Sequence, residues 1–254
     1  MDATVARLEK RLRAARLLNL GLALVIALLA GVLVAGGGRL PGGEQAAPVV
    51  PSAPITSPSA ATTPEPSEPI NIVRGDRNDT MAIGDINAPV VLSAWSDLRC
   101  PYCARVTTEV MPTLIAEYVD TGKVRIEFHD VSFFGEDSTA AAVALRAAAE
   151  QGRLAEYLHA VHAAAPPEGG HPDLPRETLI GFAATAGVPD IELFTADLDR
   201  ADLRAAVEAS TLWTQQLGIT SVPFFVAGNK AIAGAEPIEV FRGLLDEQLA
   251  AAGR

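Results

Sequence analysis

Nineteen consecutive residues, Leu17–Ala35 (LLNLGLALVIALLAGVLVA), carry no charge, and this run limits how much of the chain can fold as a globule. At a helical rise of about 1.5 Å per residue it spans roughly 28 Å, close to the hydrocarbon thickness of a bilayer. Arg7, Lys10, Arg11, Arg13 and Arg16 stand just before it, a bias that holds the preceding segment in the cytoplasm. The expected layout is a cytoplasmic basic tail over residues 1–16 and a single transmembrane anchor over 17–36, with everything later outside the cytoplasm at the cell membrane. A cleaved signal peptide competes with this reading, but its apolar region normally runs only about 7–15 residues. Residues 37–69 hold Pro at 41, 48, 51, 54, 58, 64, 66 and 69 without apolar periodicity, which predicts a disordered, extended linker. About 185 residues, 70–254, remain, enough for one domain with a full core.

The net charge of −11 argues against a nucleic-acid partner, because phosphate recognition needs a basic stripe. The chain has only two cysteines, Cys100 and Cys103. A disulfide-stapled secreted domain would carry several at long spacings, and a bridge closing so short a loop stabilises little. Zinc needs about four ligands. There is no second Cys pair, and His129, His159, His162 and His171 are scattered, with His159 and His162 on one helix face. The pair fits thiol chemistry best, with no metal or organic cofactor implied.

Apolar patterning places that pair. Val90–Trp95 (VVLSAW) reads as a buried strand. Asp97-Leu98-Arg99 leads to Cys100-Pro101, and Pro favours the first helical position, so Cys100 falls at a helix N-terminus. Val106, Val110, Leu114 and Tyr118 predict a helix from Pro101 to about Asp120, kinked at Pro112 and ended by Thr121-Gly122-Lys123. Val124–Phe128 alternates as a second strand. From about residue 136 to 212 the chain is Ala- and Leu-rich between Gly and Pro breaks, predicting four to five helices, one of them over the Ala-rich run Thr139–Ala149. Pro223–Ala227 and Lys230–Ala233 around Gly228-Asn229 predict a hairpin, and Glu236–Ala252 a closing helix. A further strand is expected at about Pro69–Val73. The order is α/β, with a helical block inserted between the second strand and the hairpin.

Cys100-Pro101-Tyr102-Cys103 carries the chemistry. Residues three apart on a helix are neighbours, so the sulfurs can meet. At the N-terminus the amide N–H groups are unpaired and the helix dipole is positive, which favours thiolate over thiol. Cys100 is thus expected to be the attacking, solvent-facing sulfur, and Cys103 the one that closes the intramolecular disulfide. Val222-Pro223 is the second element. A Pro opening an apolar strand is either an ordinary strand start or a cis peptide, and this segment alone does not choose. A cis form would leave the Val222 backbone to pair with an extended substrate. Tyr102 is expected to be partly exposed, Trp95 to be core, and of Phe224 and Phe225 one to be core and one to line the client groove.

With CPYC followed about 120 residues later by Gly218-Ile219-Thr220-Ser221-Val222-Pro223-Phe224-Phe225, the chain resembles the DsbA-like branch of the thioredoxin superfamily. Phe133-Phe134-Gly135 before the Ala-rich helix and Glu150-Gln151-Gly152 to Tyr157 extend the likeness over roughly Asp85–Leu249. The resemblance implies a thioredoxin fold with an inserted helical domain, mixed disulfides between Cys100 and client proteins, and Val222-Pro223 as the cis-proline loop facing the cysteines. Pro101, Tyr102, Val222 and Pro223 would then contact substrate. Val before the cis proline is commoner in the family's oxidases, and Thr in its isomerases. Many relatives carry an acid six positions before the first Cys, to relay protons to the inner thiol. Here that position is Ala94, Asp97 is expected in a loop, and Glu127 on the next strand is the candidate replacement.

The leading expectation is a dithiol oxidase of cysteine-containing exported proteins, reoxidised by a quinone-linked membrane partner of the DsbB or vitamin K epoxide reductase type. A reductase or isomerase of the same clients is the second. A non-catalytic, tethered client-binding module is the third.

Overall fold

The structure is a computed structural model that describes residues 72–253. The expected tail (1–16), anchor (17–36) and linker (37–69) lie outside the described residues, as do residues 69–71 of the expected first strand. No helix among the described residues is long and apolar enough to cross a membrane.

Val90–Ser96 forms β2 and Val124–Asp130 forms β3, paired in parallel with Ala94 beside Phe128 and Trp95 beside His129. Parallel strands need a crossover, and residues 101–119 supply it as helix α1. The sheet order is β1-β3-β2-β4-β5, with β1 at Ala82–Ile83 antiparallel to β3. Ile72 and Val73 are coil rather than strand. β4 (Phe224–Ala227) and β5 (Lys230–Ala233) form the expected hairpin. Its loop starts on Gly228 at φ 58°, a left-handed conformation that a two-residue hairpin turn demands and glycine supplies. Helix α7 (Ile238–Ala251) closes the chain and sets Phe241 edge-on against Phe225.

α1 absorbs Pro112 by widening. Two π-helical segments, Val106–Val110 and Ile115–Val119, flank the α-helical Met111–Leu114. Proline lacks an N–H and its ring crowds the carbonyl four residues back, and an extra residue in the turn relieves both. Between β3 and β4 lie five helices: α2 (Glu136–Glu150), α3 (Leu154–Ala163), α4 (Arg176–Thr185), α5 (Ile191–Asp197) and α6 (Ala201–Gln216). α2 is the hub, packing against the other four. Its Ala141, Ala142, Ala144, Ala147 and Ala148 are fully buried. Small side chains here are a packing requirement as well as good helix formers, because they let the neighbours approach closely.

The alternation of β3 suggests one wet face, but every residue of the strand is buried. The extended segment 72–81 covers the polar face. The Arg74 and Gly75 N–H groups donate to the Glu127 carboxylate at 2.7 and 3.1 Å. Arg125 donates to the Asp76 carbonyl at 2.8 Å, and Arg74 to His129 Nδ1 at 2.9 Å. The opposite face carries Leu92, Ala94, Ile126 and Phe128 and belongs to the main core.

Candidate active site

β2 ends at Ser96, and a four-residue loop, Asp97 to Cys100, carries the chain to α1. Cys100 is the N-cap residue in extended conformation (φ −79°, ψ 119°), with Pro101 in the first helical turn. The loop is fixed from both sides. The Asp97 carboxylate, fully buried, accepts from the Arg99 N–H (2.9 Å), the Phe133 N–H (2.8 Å) and the Ser138 hydroxyl (2.9 Å). Arg99 spans to the insertion, donating to the carbonyls of Pro172 (2.7 Å), Phe134 (2.5 Å) and His171 (2.9 Å). Sequence reasoning missed Arg99 and gave Asp97 only a loop position. The signal was a charged pair bracketing an apolar residue immediately before the motif, and its partners lie some 35 to 73 residues away.

Both sulfurs are thiols here. The expectation that Cys100 faces solvent is corrected: it is 3% exposed, little more than the 1% of Cys103. The cis-proline loop reaches it, and its Sγ lies 3.5 Å from the Val222 carbonyl. What separates the two sulfurs is electrostatics. The Cys103 thiol, by donating to it, brings the Cys100 pKa down to about 7; burial works against this, the Cys103 and Tyr102 backbone N–H groups assist, and the Asp97 charge opposes. Cys103 is pushed well above the ordinary thiol value, chiefly by burial and then by Cys100, with the Asp97 backbone and the Ser96 side chain pulling slightly the other way. A thiolate-forming outer sulfur beside a protonated inner one is the asymmetry that disulfide exchange uses.

The Val222-Pro223 peptide bond is cis. Pro223 and Cys103 line one small cavity, so the structure brings CPYC and Val222-Pro223 together across 122 residues of sequence. Tyr102 is 56% exposed beside the cysteines. Trp95 is fully buried and stacked on His129 at 4.5 Å. Phe225 is core, while the half-buried Phe224 lines a groove of about 450 Å³ together with Leu217, Ile219, Ser221 and Ala233. Glu127 does not stand in for the missing acid. Its register partner is Ser93, not Ala94, so it lies on the sheet face away from Cys103, where it holds the 72–81 segment. Among the described residues no cluster of His, Cys, Asp and Glu could hold a metal.

A dithiol of split acidity at a helix N-terminus, faced by a cis proline on a five-stranded mixed sheet, defines a thiol–disulfide oxidoreductase. The chain belongs to the thioredoxin family, whose model matches residues 76–247. It is similar to the probable disulfide bond formation protein D of Bacillus cereus, 28% identical over 153 residues that cover 59% of this chain and 71% of that protein. A shorter match to disulfide bond formation protein D of Bacillus subtilis is 32% identical over 62 residues, 24% of this chain and 28% of that protein. In fold it is similar to oxidised BdbD from Bacillus subtilis (TM-score 0.61, 20% identity, 67% of this chain and 92% of that one). DsbA of Chlamydia trachomatis is similar at TM-score 0.58, 20% identity and the same coverages. The fold is DsbA-like, a thioredoxin core with a helical insertion.

Proposed function

We propose that this thioredoxin-family oxidoreductase is a dithiol oxidase of exported proteins, held at the outer side of the cell membrane by residues 17–36. The Cys100–Cys103 disulfide accepts a client thiolate at Cys100, Cys103 leaves, and the client's second thiolate takes the client sulfur, leaving both cysteines reduced. A quinone-linked membrane partner of the DsbB or vitamin K epoxide reductase type then restores the disulfide, and Tyr102, Pro101, Val222 and Pro223 form the surface that either protein meets.

The observation that carries the exchange chemistry is the split between Cys100, lowered to about 7, and Cys103, raised well above the ordinary thiol value. The oxidising direction is supported by Val222 before the cis proline and by relatives whose names give disulfide bond formation as their role. A second reading, reductase or isomerase, has one observation in its favour. A thiol pKa of about 7 matches thioredoxin, about 7, better than DsbA, about 3.5. The reduction potential separates them, measured by equilibrating the protein with glutathione. A value near about −120 mV supports the oxidase, and one near about −270 mV overturns it in favour of the reductase. Replacing Cys100 by Ser tests the tethered-module alternative, since retained disulfide-dependent function in that variant excludes the enzyme.

A further inference from the structure

Cys103 needs a proton partner whenever it attacks or leaves, and neither Ala94 nor Glu127 supplies one. Against α1 and the loop after β2 lies a buried imidazole that the exchange chemistry has not used. His162, on α3, is 2% exposed, and its Nδ1 lies 2.8 Å from the hydroxyl of Thr107. Its Nε2 faces the Asp97 carbonyl at 3.4 Å. A carbonyl only accepts, so Nε2 carries the hydrogen, Nδ1 is the acceptor, and the Thr107 hydroxyl donates to it. The lone pairs of Thr107 are then left for another donor. Thr107 stands four residues after Cys103 on the same face of α1, within the π-helical segment Val106–Val110. The two side chains line a common cavity of about 10 Å³ together with Ala94, Ser96 and Pro223. That is about the least space one water needs.

We propose that Thr107 and His162 form the proton relay of Cys103, through a single water held in this cavity. The inference rests on the redox reading of the dithiol. When a mixed disulfide at Cys100 is resolved, the proton leaves Cys103 Sγ for the water, the Thr107 hydroxyl takes one from the water, and it gives its own to His162 Nδ1. The Cys103–Cys100 Sγ–Sγ bond forms as the Cys100–partner S–S bond breaks. The partner departs as a thiolate and takes up the relayed proton. The groups around the ring are Asp97 on the loop after β2, His159 on the same helix, and Cys103 with Thr107 on α1. Burial chiefly, with the charge of His159 adding to it and the Asp97 backbone opposing, brings the His162 pKa down to about 4. The imidazole is therefore unprotonated throughout the neutral range, and because it is buried it passes the proton back through Thr107 and the cavity water to the departing partner thiolate once the step is over.

The test uses the reduced full chain with oxidised glutathione as probe. Acid quenching and mass spectrometry follow the Cys100 adduct as it forms and as Cys103 resolves it. Thr107→Val and His162→Gln should slow resolution by about 10- to 100-fold, within the range of lost acid–base assistance, and leave adduct formation unchanged. Thr107→Ser, which restores the hydroxyl, should recover the rate to within about threefold of the parent. The parent's resolution rate should be flat from about pH 6 to about pH 8, whereas in Thr107→Val it should rise about tenfold per pH unit, because hydroxide becomes the base. Normal resolution in Thr107→Val, equal slowing in Thr107→Ser, or slowing only in Ser96→Ala overturns the relay. Absence of any glutathione adduct in Cys103→Ser, where no second thiol resolves it, overturns the proposed function, and the relay with it.

Discussion

The split acidity of the dithiol makes the reduced form's stability depend on pH in a way the disulfide form's cannot. In the reduced native protein the Cys100 pKa is about 7, against the ordinary thiol value of 9.0 in the unfolded chain. A depressed acid contributes stability that is complete above the unfolded value and is lost as the pH falls through the folded one. Between about pH 6 and about pH 8 the reduced form should therefore gain about 1.3 kcal/mol relative to the disulfide form. Groups common to both forms cancel in this difference. Cys103, whose native pKa is raised, opposes the gain only as the pH approaches the unfolded value. Urea unfolding of both forms at the two pH values gives the difference directly, and Cys100→Ser should flatten it. A difference that changes by less than about 0.3 kcal/mol, or that falls as the pH rises, refutes the claim that the helix N-terminus and Cys103 stabilise a thiolate at Cys100.

Asp97→Asn removes a charge that opposes the Cys100 thiolate, so the thiolate absorbance titration should shift below about 7. Glu127→Ala leaves the Arg74 and Gly75 N–H groups without their acceptor and the buried Arg125 without its carboxylate partner, and denaturant unfolding should show a loss of about 3 kcal/mol with the Cys100 titration unmoved. Trp95→Ala empties a fully buried site packed against His129 and Trp213 and should cost about 3–5 kcal/mol in the same assay. Gly84→Ala combines φ 96° with a Cβ placed 2.8 Å from the Val124 carbonyl oxygen, and a loss of about 1–3 kcal/mol is expected.

Much of the core was legible because local rules govern it. The apolar run of β2, the Pro after Cys100 and the Gly-Asn pair between two short apolar runs each state their structure within a few residues. The edge strand was not legible. Ala82–Ile83 is too short for a pattern, and Ile72-Val73, which has one, is held as coil by the Arg74, Gly75 and Asp76 contacts to β3. The same contacts explain why the alternating β3 has no wet face, and why Glu127 is a structural carboxylate rather than a relay. Pro112 read as a kink, but whether a helix bends or widens depends on what packs beside it.

The sequence by itself determined that the only two thiols sit one turn apart at the start of a helix, since both the spacing and the Pro that begins the helix are local. It also determined a strand–helix–strand core with a helical block and a hairpin, because hydrophobic period and turn residues are read over short windows. Tertiary structure alone decided which groups meet those sulfurs: the Val222 carbonyl at Cys100, Ser96 and Thr107 around Cys103, and the Arg99 and Asp97 contacts that fix the loop between. These partners lie tens of residues apart and are joined only by packing, and burial, which sets the acidity of each sulfur, is a property of the whole fold rather than of any segment.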